Sequence, residues 1–127
     1  MAHILVDSDV VIDRLRGHPG AEGALRVVAS DDTICCCAVT VAEVRAGMRP
    51  DEEEATLLLF DAMEVLPVDR EVALLAGRLK CEAKGFRLEL ADCLIAACAM
   101  RIGARLLTRN PRHYPHTELE VVPAEYR

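Results

Sequence analysis

The stretch ILVDSDVVIDRL, residues 4–15, decides the fold class, because an apolar run is followed at once by acidic residues and a helical pattern. Residues 4–6 predict a short buried strand. From about Asp9 to Arg16 the apolar residues recur with helical spacing, and the segment ends before Pro19. A strand that leads directly into a helix is typical of α/β proteins.

The remainder of the chain repeats this alternation of short apolar runs and longer helical segments. Further strands are predicted at residues 33–37, 65–68, 105–108 and 119–122, with the last one at an edge, and further helices at residues 21–29, 40–48, 51–63, 69–84 and 91–102. Gly85 and Gly103 are predicted to close the last two helices. We therefore predict an α/β fold, a single domain over residues 1–127, with a mostly parallel central sheet of four to five strands flanked by helices.

Composition excludes several classes of protein. The chain has 127 residues, of which 52% are hydrophobic, so it can build a core without a disulfide or structural metal. Two Tyr and two Phe are its only aromatic residues, too few for a base-stacking platform. The net charge of −6 excludes a basic coat protein. Residues 70–112 nevertheless hold nine Lys or Arg against four acids, so they could bind a polyanion locally or form a solvated surface.

The six cysteines are interpreted as small buried hydrophobic residues. There is no C-x-x-C pair, and residues 35–37, three consecutive cysteines, would point to alternate faces of a strand. His113 and His116 have no obvious third metal ligand and are interpreted as surface loop residues. We expect no signal peptide at the start of the chain, and no apolar run approaches the ~18 residues of a membrane span. We expect a cytoplasmic protein with reduced thiols and no membrane association.

Acidic residues follow the predicted strands. Asp7 and Asp9 come after the first strand, Glu43 comes shortly after the second, and Asp92 lies at the start of the helix at residues 91–102. Sites in open α/β sheets form at the carboxyl ends of the strands, so these acids could converge there. Clustered carboxylates favour Mg²⁺ or Mn²⁺, and such an ion can activate a water for attack on a phosphodiester.

Each acid also has a structural explanation. Ser8 or Asp9 could cap the first helix, and Thr40 with Glu43 has the spacing of a capping box. Asp92 could serve only the dipole of its helix. That helix is apolar all round and should be buried, however, and a buried carboxylate costs several kcal/mol unless a partner stabilises it.

Four segments in order, ILVDSDVVID (4–13), AVTVAEVRAG (38–47), LADCLIAA (90–97) and LLTRNPRHY (106–114), resemble the four motifs of PIN-domain ribonucleases, particularly the VapC-type toxins of bacterial toxin–antitoxin pairs. The resemblance runs from residue 4 to about 122. It departs from the usual pattern in three places. Asp9 stands where an Asn is common, Cys37 stands where a Ser is common, and Asn110 with His113 occupies the stretch that often holds a further Asp.

The resemblance implies a metal-dependent endoribonuclease that inhibits translation by cutting structured RNA, such as a transfer-RNA or ribosomal-RNA loop. It implies Asp7, Glu43 and Asp92 as catalytic residues that hold Mg²⁺ or Mn²⁺, with Asp9 as a further ligand and Asn110 as a further catalytic candidate. It also implies a VapB-like antitoxin partner and a homodimer. Candidates for guiding the RNA backbone are Arg78, Lys80, Lys84, Arg87, Arg109 and Arg112.

Two other functions remain open. Asp7-Ser8-Asp9-Val10-Val11 matches a D-x-D-x-V motif, in which Asp7 would be the nucleophile of a phosphohydrolase. That class needs a later acidic pair and a Lys, and Asp92 has no suitable acidic neighbour. A non-catalytic PIN-like binding module is the second alternative, because the fourth carboxylate is missing.

Overall fold

The strands form one fully parallel sheet. The structure, a computed structural model, describes residues 2–85, 87–116 and 118–126. The five strands are β1 (His3–Val6), β2 (Thr33–Cys37), β3 (Glu64–Leu66), β4 (Arg105–Thr108) and β5 (Val121–Pro123). Their order in the sheet is β3-β2-β1-β4-β5, with every neighbouring pair parallel and β5 at an edge. The predicted α/β class and the mostly parallel sheet of four to five strands are confirmed.

Helices connect the strands and cover the sheet. Within the described residues they are α1 (Ser8–Leu15), α2 (Pro19–Ala29), α3 (Ala38–Ala46), α4 (Glu53–Asp61), α5 (Arg70–Glu82) and α6 (Leu90–Ile102). Short 3₁₀ turns at Pro50–Glu52 and Pro111–His113 precede α4 and follow β4. In the part of the chain that the structure describes, no helix combines the length and apolar character that crossing a bilayer demands.

The core has two halves, one on each face of the sheet. Leu5 and Leu106 point to the face covered by α5 and α6, whereas Ile4 and Leu107 point to the face covered by α1 to α4. The alternation follows from the period of two in a strand. It also separates the three consecutive cysteines, because Cys36 faces away from both of its neighbours, as the sequence predicts.

Several predicted boundaries are wrong by one or two residues. Helix α1 begins at Ser8 rather than at Asp9, and Asp7 caps it. Helix α3 begins at Ala38 rather than at Thr40, because Cys37 has the extended backbone of an N-cap. Gly85 has a left-handed backbone (φ +79°) but lies beyond α5, which ends at Glu82.

The start of α6 is the feature of the fold that matters for the site. Gly103 ends this helix in the left-handed conformation (φ +67°), as predicted. Six of its thirteen residues are buried, namely Cys93 and the five residues 95–99. Because an apolar helix of this kind packs tightly on the sheet, its first turn is held at the edge where the strands end.

Candidate active site

Asp7 occupies the junction between β1 and α1. Its carboxylate accepts hydrogen bonds from the backbone N–H of Ser8 (2.8 Å) and from the hydroxyl of Thr108 (2.7 Å). Thr108 is the last residue of β4, and the parallel pairing of β4 with β1 brings it there. The sequence suggested that Ser8 or Asp9 could cap α1, but the cap is Asp7 itself. Asp7 is only 6% exposed, so its orientation is fixed by these two bonds.

Glu43 reaches the same edge from α3. The hydroxyl of Ser8 donates to Glu43 Oε1 (2.6 Å) and also lies 3.0 Å from the hydroxyl of Thr40. The alternative of a capping box between Thr40 and Glu43 is therefore wrong. Thr40 lies inside the first turn of α3, and the Glu43 carboxylate turns toward α1 instead.

Asp92, the third residue of α6, supplies the third acid. Its Oδ1 accepts a hydrogen bond from the Tyr114 hydroxyl (3.4 Å), and its Oδ2 lies 3.7 Å from His113 Nδ1. The pKa of Asp92 is raised, first by burial and then by the negative charges of Asp7 and Glu43. Asp7 and Glu43 thus lie close enough to Asp92 to disfavour its ionised form.

Asp9 and Asn110 are joined at the rim of this acidic cluster. Asn110 Nδ2 donates to Asp9 Oδ2 (2.7 Å), and the backbone N–H of Arg109 donates to the same oxygen (3.2 Å). The backbone N–H of Asn110 donates to the Thr108 hydroxyl (3.0 Å). Burial, followed by the charge of Asp7, raises the pKa of Asp9 to about 6. The loop after β4 is therefore tied to both aspartates that follow β1.

Replacing Asp9 by Asn should stabilise the metal-free protein at neutral pH. The pKa of Asp9 is raised from 3.8 to about 6, so the ionised form disfavours folding, and stability is lost as the pH rises from about 4 through 6. Because this carboxylate is still partly exposed, we expect the substitution to raise the free energy of unfolding by about 2 kcal/mol at pH 7.5.

Urea unfolding in EDTA at several pH values measures this effect. The gain should shrink as the pH falls through 6 and approach zero well below 3.8, where the carboxyl of Asp9 is protonated in both states. A gain that is the same at pH 4 and pH 7.5 would show that ionisation is not its cause.

The sequence analysis did not predict that four uncharged residues belong to the site. Ser8, Thr108 and Tyr114 each donate a hydrogen bond to one of the acids, and the Thr40 hydroxyl lies against the hydroxyl of Ser8. The rule that polar residues at strand ends converge could have identified Ser8 and Thr108. Tyr114 has no such signal. Burial, together with the charges of Asp7 and Asp92, raises its pKa, so its hydroxyl stays protonated and can donate.

The donor set suits a hard divalent cation, although it is not a closed ligand cage. Among the described residues, no three histidine, cysteine or carboxylate side chains are grouped tightly enough to hold one ion as they stand. Mg²⁺ is usually bound by one or two carboxylates and keeps several waters. Asp7 and Asp92 both lie near the Tyr114 hydroxyl and provide such a pair, so the residues fit.

Basic residues surround this edge unevenly. Lys84 and Arg87 are exposed in the connection that leads into α6, and Arg112 is exposed after β4. Arg109 is held in place, because its guanidinium donates to Asp13 (2.8 Å) and lies 5.0 Å from the centre of the Tyr126 ring. The other two candidates have local partners. Lys80 donates to the Leu88 carbonyl (2.6 Å), and Arg78 lies 3.9 Å from Glu82.

Comparison with known proteins settles the family. The family model described as PIN domain matches residues 4–118. The chain belongs to the PIN domain family. It is 33% identical to Ribonuclease VapC19 of Mycobacterium tuberculosis over 117 residues, which cover 87% of this chain and 91% of that protein. It is 35% identical over 117 residues to Ribonuclease VapC10 of the same species, covering 91% and 88%.

Solved structures agree with this assignment at the level of the fold. This PIN domain superimposes on a chain of a toxin–antitoxin complex from Klebsiella pneumoniae with a TM-score of 0.82 and 24% identity, covering 96% of this chain and 98% of that one. The resemblance inferred from four short motifs is confirmed.

Proposed function

We propose that this PIN domain is an endoribonuclease and the toxin of a toxin–antitoxin pair. The observation that carries the proposal is the convergence of Asp7, Glu43 and Asp92 from three separate elements at the carboxyl ends of the strands. Each acid accepts a hydrogen bond from the hydroxyl of an uncharged neighbour. A cluster of this kind has little use in stability, because its charges repel. The similarity to two proteins named as VapC ribonucleases supports RNA as the substrate.

The reaction we propose depends on Mg²⁺ or Mn²⁺ held by Asp7, Asp92 and Glu43, with Asp9 as a further ligand. A bound ion would activate a water for attack on a phosphodiester and neutralise the developing charge. The protein's own groups prepare the site. Ser8 orients Glu43, and Thr108 orients Asp7. Asn110 is uncharged, and its side-chain amide donates a hydrogen bond that holds the Asp9 carboxylate in position.

The substrate we propose is a structured RNA, such as a loop of transfer RNA or ribosomal RNA, whose cleavage inhibits translation. The acidic cluster by itself repels a phosphate backbone, so cationic side chains must guide the strand. We assign this task to Lys84, Arg87, Arg109 and Arg112, all of which are exposed on connections that border the site.

The partners we propose are a VapB-like antitoxin and a second copy of this chain. Exposed leucines on α4 and α5, namely Leu57, Leu58 and Leu74, provide apolar surface for such contacts. The likeness to a chain of a toxin–antitoxin complex supports the antitoxin. We further propose that residues 1–127 act as one domain in the cytoplasm, a reducing compartment in which cysteines are free thiols, as these six are.

Purified protein incubated with total cellular RNA tests the enzymatic proposal. Parallel reactions would contain Mg²⁺, Mn²⁺ or EDTA, and the fragment ends would be mapped. We expect discrete fragments only when a metal is present. Intact RNA with both metals, from protein that is folded by circular dichroism, would contradict the nuclease assignment.

Reversing two charges beside the site should weaken RNA binding. Lys84→Glu with Arg87→Glu removes two proposed phosphate contacts, so the slope of log K against log salt should become shallower by about 1.5 to 2. Filter binding in EDTA measures this without cleavage. Arg16→Glu with Arg26→Glu makes the same change in net charge on the α1–α2 side and should leave the slope unaltered. Equal slopes for both double variants would reject the assignment.

A further inference from the structure

Two cysteines that are far apart in the sequence meet in the core. The Sγ atoms of Cys37 and Cys98 lie 3.1 Å apart, although 61 residues separate them along the chain. Cys37 is the last residue of β2 and the N-cap of α3, and Cys98 lies in the middle of α6. Apolar packing alone does not require the two sulfurs to face each other at this distance.

From this contact we infer that Cys37 and Cys98 are a site of reversible oxidation, at which a hydroperoxide converts the two thiols into a disulfide. A disulfide has an S–S bond of about 2.05 Å, so the sulfurs need to approach by about 1 Å. The link would join β2, which leads into the helix of Glu43, to α6, which carries Asp92.

A surface cavity gives a small oxidant access to the pair. Cys98 borders a cavity of about 170 Å³ between the start of α5 and the middle of α6, together with Leu66, Pro67, Asp69 and Arg101. A volume of this size can hold several waters, and hydrogen peroxide is little larger than water. Cys37 lies behind Cys98 and is fully buried. The sulfur that meets the oxidant first is therefore that of Cys98.

The environment of Cys37 favours it as the thiol that attacks the oxidised sulfur of Cys98. The pKa of Cys37 is lowered, first by the hydrogen bond from the Cys98 thiol and then by the backbone N–H groups of Val39 and Thr40. A thiolate at a helix N-terminus is stabilised in the same way in other proteins. Cys35 and Cys36 have no such support, because burial raises the pKa of each thiol to about 12.

The chemistry proceeds in two balanced steps. Cys98 Sγ attacks one oxygen of hydrogen peroxide, the O–O bond breaks, and the leaving hydroxide takes up the thiol proton of Cys98 to form water. Cys37 Sγ then attacks the sulfenic sulfur of Cys98, so that the S–S bond forms, the S–O bond breaks, and the hydroxyl leaves as water with the proton of Cys37. Peroxide is reduced and the thiols are oxidised by two electrons.

The proposal can be tested by peptide mapping. The full chain would be treated with about 1 mM hydrogen peroxide, a defined oxidant of thiols. Free thiols would be blocked before digestion with trypsin. We expect peptide 27–45 linked to peptide 88–101, and release of the link by dithiothreitol. Because these peptides also contain Cys35, Cys36 and Cys93, each cysteine needs its own variant. The link should persist in Cys35→Ser, Cys36→Ser and Cys93→Ser and disappear in Cys37→Ser and Cys98→Ala.

Thermal unfolding supplies a second measurement, which is independent of peptide mapping and of any activity assay. A link across 61 residues restricts the unfolded chain, so Tm should rise by about 10 °C on oxidation and fall again on reduction. Cys98→Ala should show the same Tm in both conditions. Absence of the linked peptide at every peroxide concentration, or a link that involves Cys35 or Cys93 instead, would overturn the proposal.

Discussion

Replacing Asp92 by Asn should reduce metal-dependent RNA cleavage by at least about 100-fold, which corresponds to about 3 kcal/mol of lost transition-state stabilisation. The substitution keeps the size of the side chain and can still accept a hydrogen bond from Tyr114. It removes a negative charge that we assign to the metal. The loss should therefore come from the chemistry and from ion affinity, not from misfolding.

The stability of the same variant provides an independent check. Burial and the charges of Asp7 and Glu43 raise the pKa of Asp92, so its ionised form disfavours folding in the absence of metal. We expect Asp92→Asn to be at least as stable as the wild type in EDTA and to lose the stabilisation that Mn²⁺ confers on the wild type. Thermal melts with and without Mn²⁺ measure both effects.

Glu89→Gln is the matched control for Asp92→Asn. Glu89 lies three residues earlier, at the N-cap of α6, is exposed, and makes no capping hydrogen bond. The change removes an equal charge from the same end of the helix and should leave cleavage within about twofold, because no ligand is lost. Equal losses in the two variants would indicate a general electrostatic effect, and full activity of Asp92→Asn would remove Asp92 from the catalytic site.

Truncating Leu106 to Ala should lower the free energy of unfolding by about 3 kcal/mol. Leu106 is fully buried in β4, and its side chain packs in the half of the core formed with α5 and α6. The truncation leaves a cavity between the sheet and α6, and rigid strands on either side, β1 and β5, limit its collapse. Urea unfolding measures the loss.

Leu74→Ala is the corresponding surface control. Leu74 lies on α5 and is 61% exposed, so the same truncation should change stability by less than about 0.5 kcal/mol in the monomer. If Leu106→Ala lowers the free energy of unfolding by no more than Leu74→Ala does, then the side chain of Leu106 does not support the core.

The sequence predicts the acids of the candidate site from their places along the chain. Polar residues that follow buried strands collect at one edge of a parallel sheet, which groups Asp7 with Glu43, whereas Asp92 lies at the start of a helix. Asp92 had the strongest local signal, since a carboxylate on a helix that is apolar all round needs a partner. The partners themselves could not be named in this way.

The errors had a common origin in competing local patterns. Thr40 and Glu43 have the spacing of a capping box, but in the folded chain Cys37 begins α3 and Glu43 binds Ser8 from another helix. The energy of a buried hydrogen bond between distant segments outweighs a modest capping preference. Local spacing alone does not reveal which of the two contacts forms in the folded chain.

The sequence by itself determined the alternation of strands and helices, the parallel sheet and the end of α6 at Gly103, because these depend on periodicity and backbone preference within a few residues. Only the tertiary structure decided which side chains touch. Thr108 meets Asp7 across 101 positions and Cys98 meets Cys37 across 61. Such contacts depend on strand register and on how α6 packs against the sheet, and both arise from the packing of the whole core rather than from any local segment.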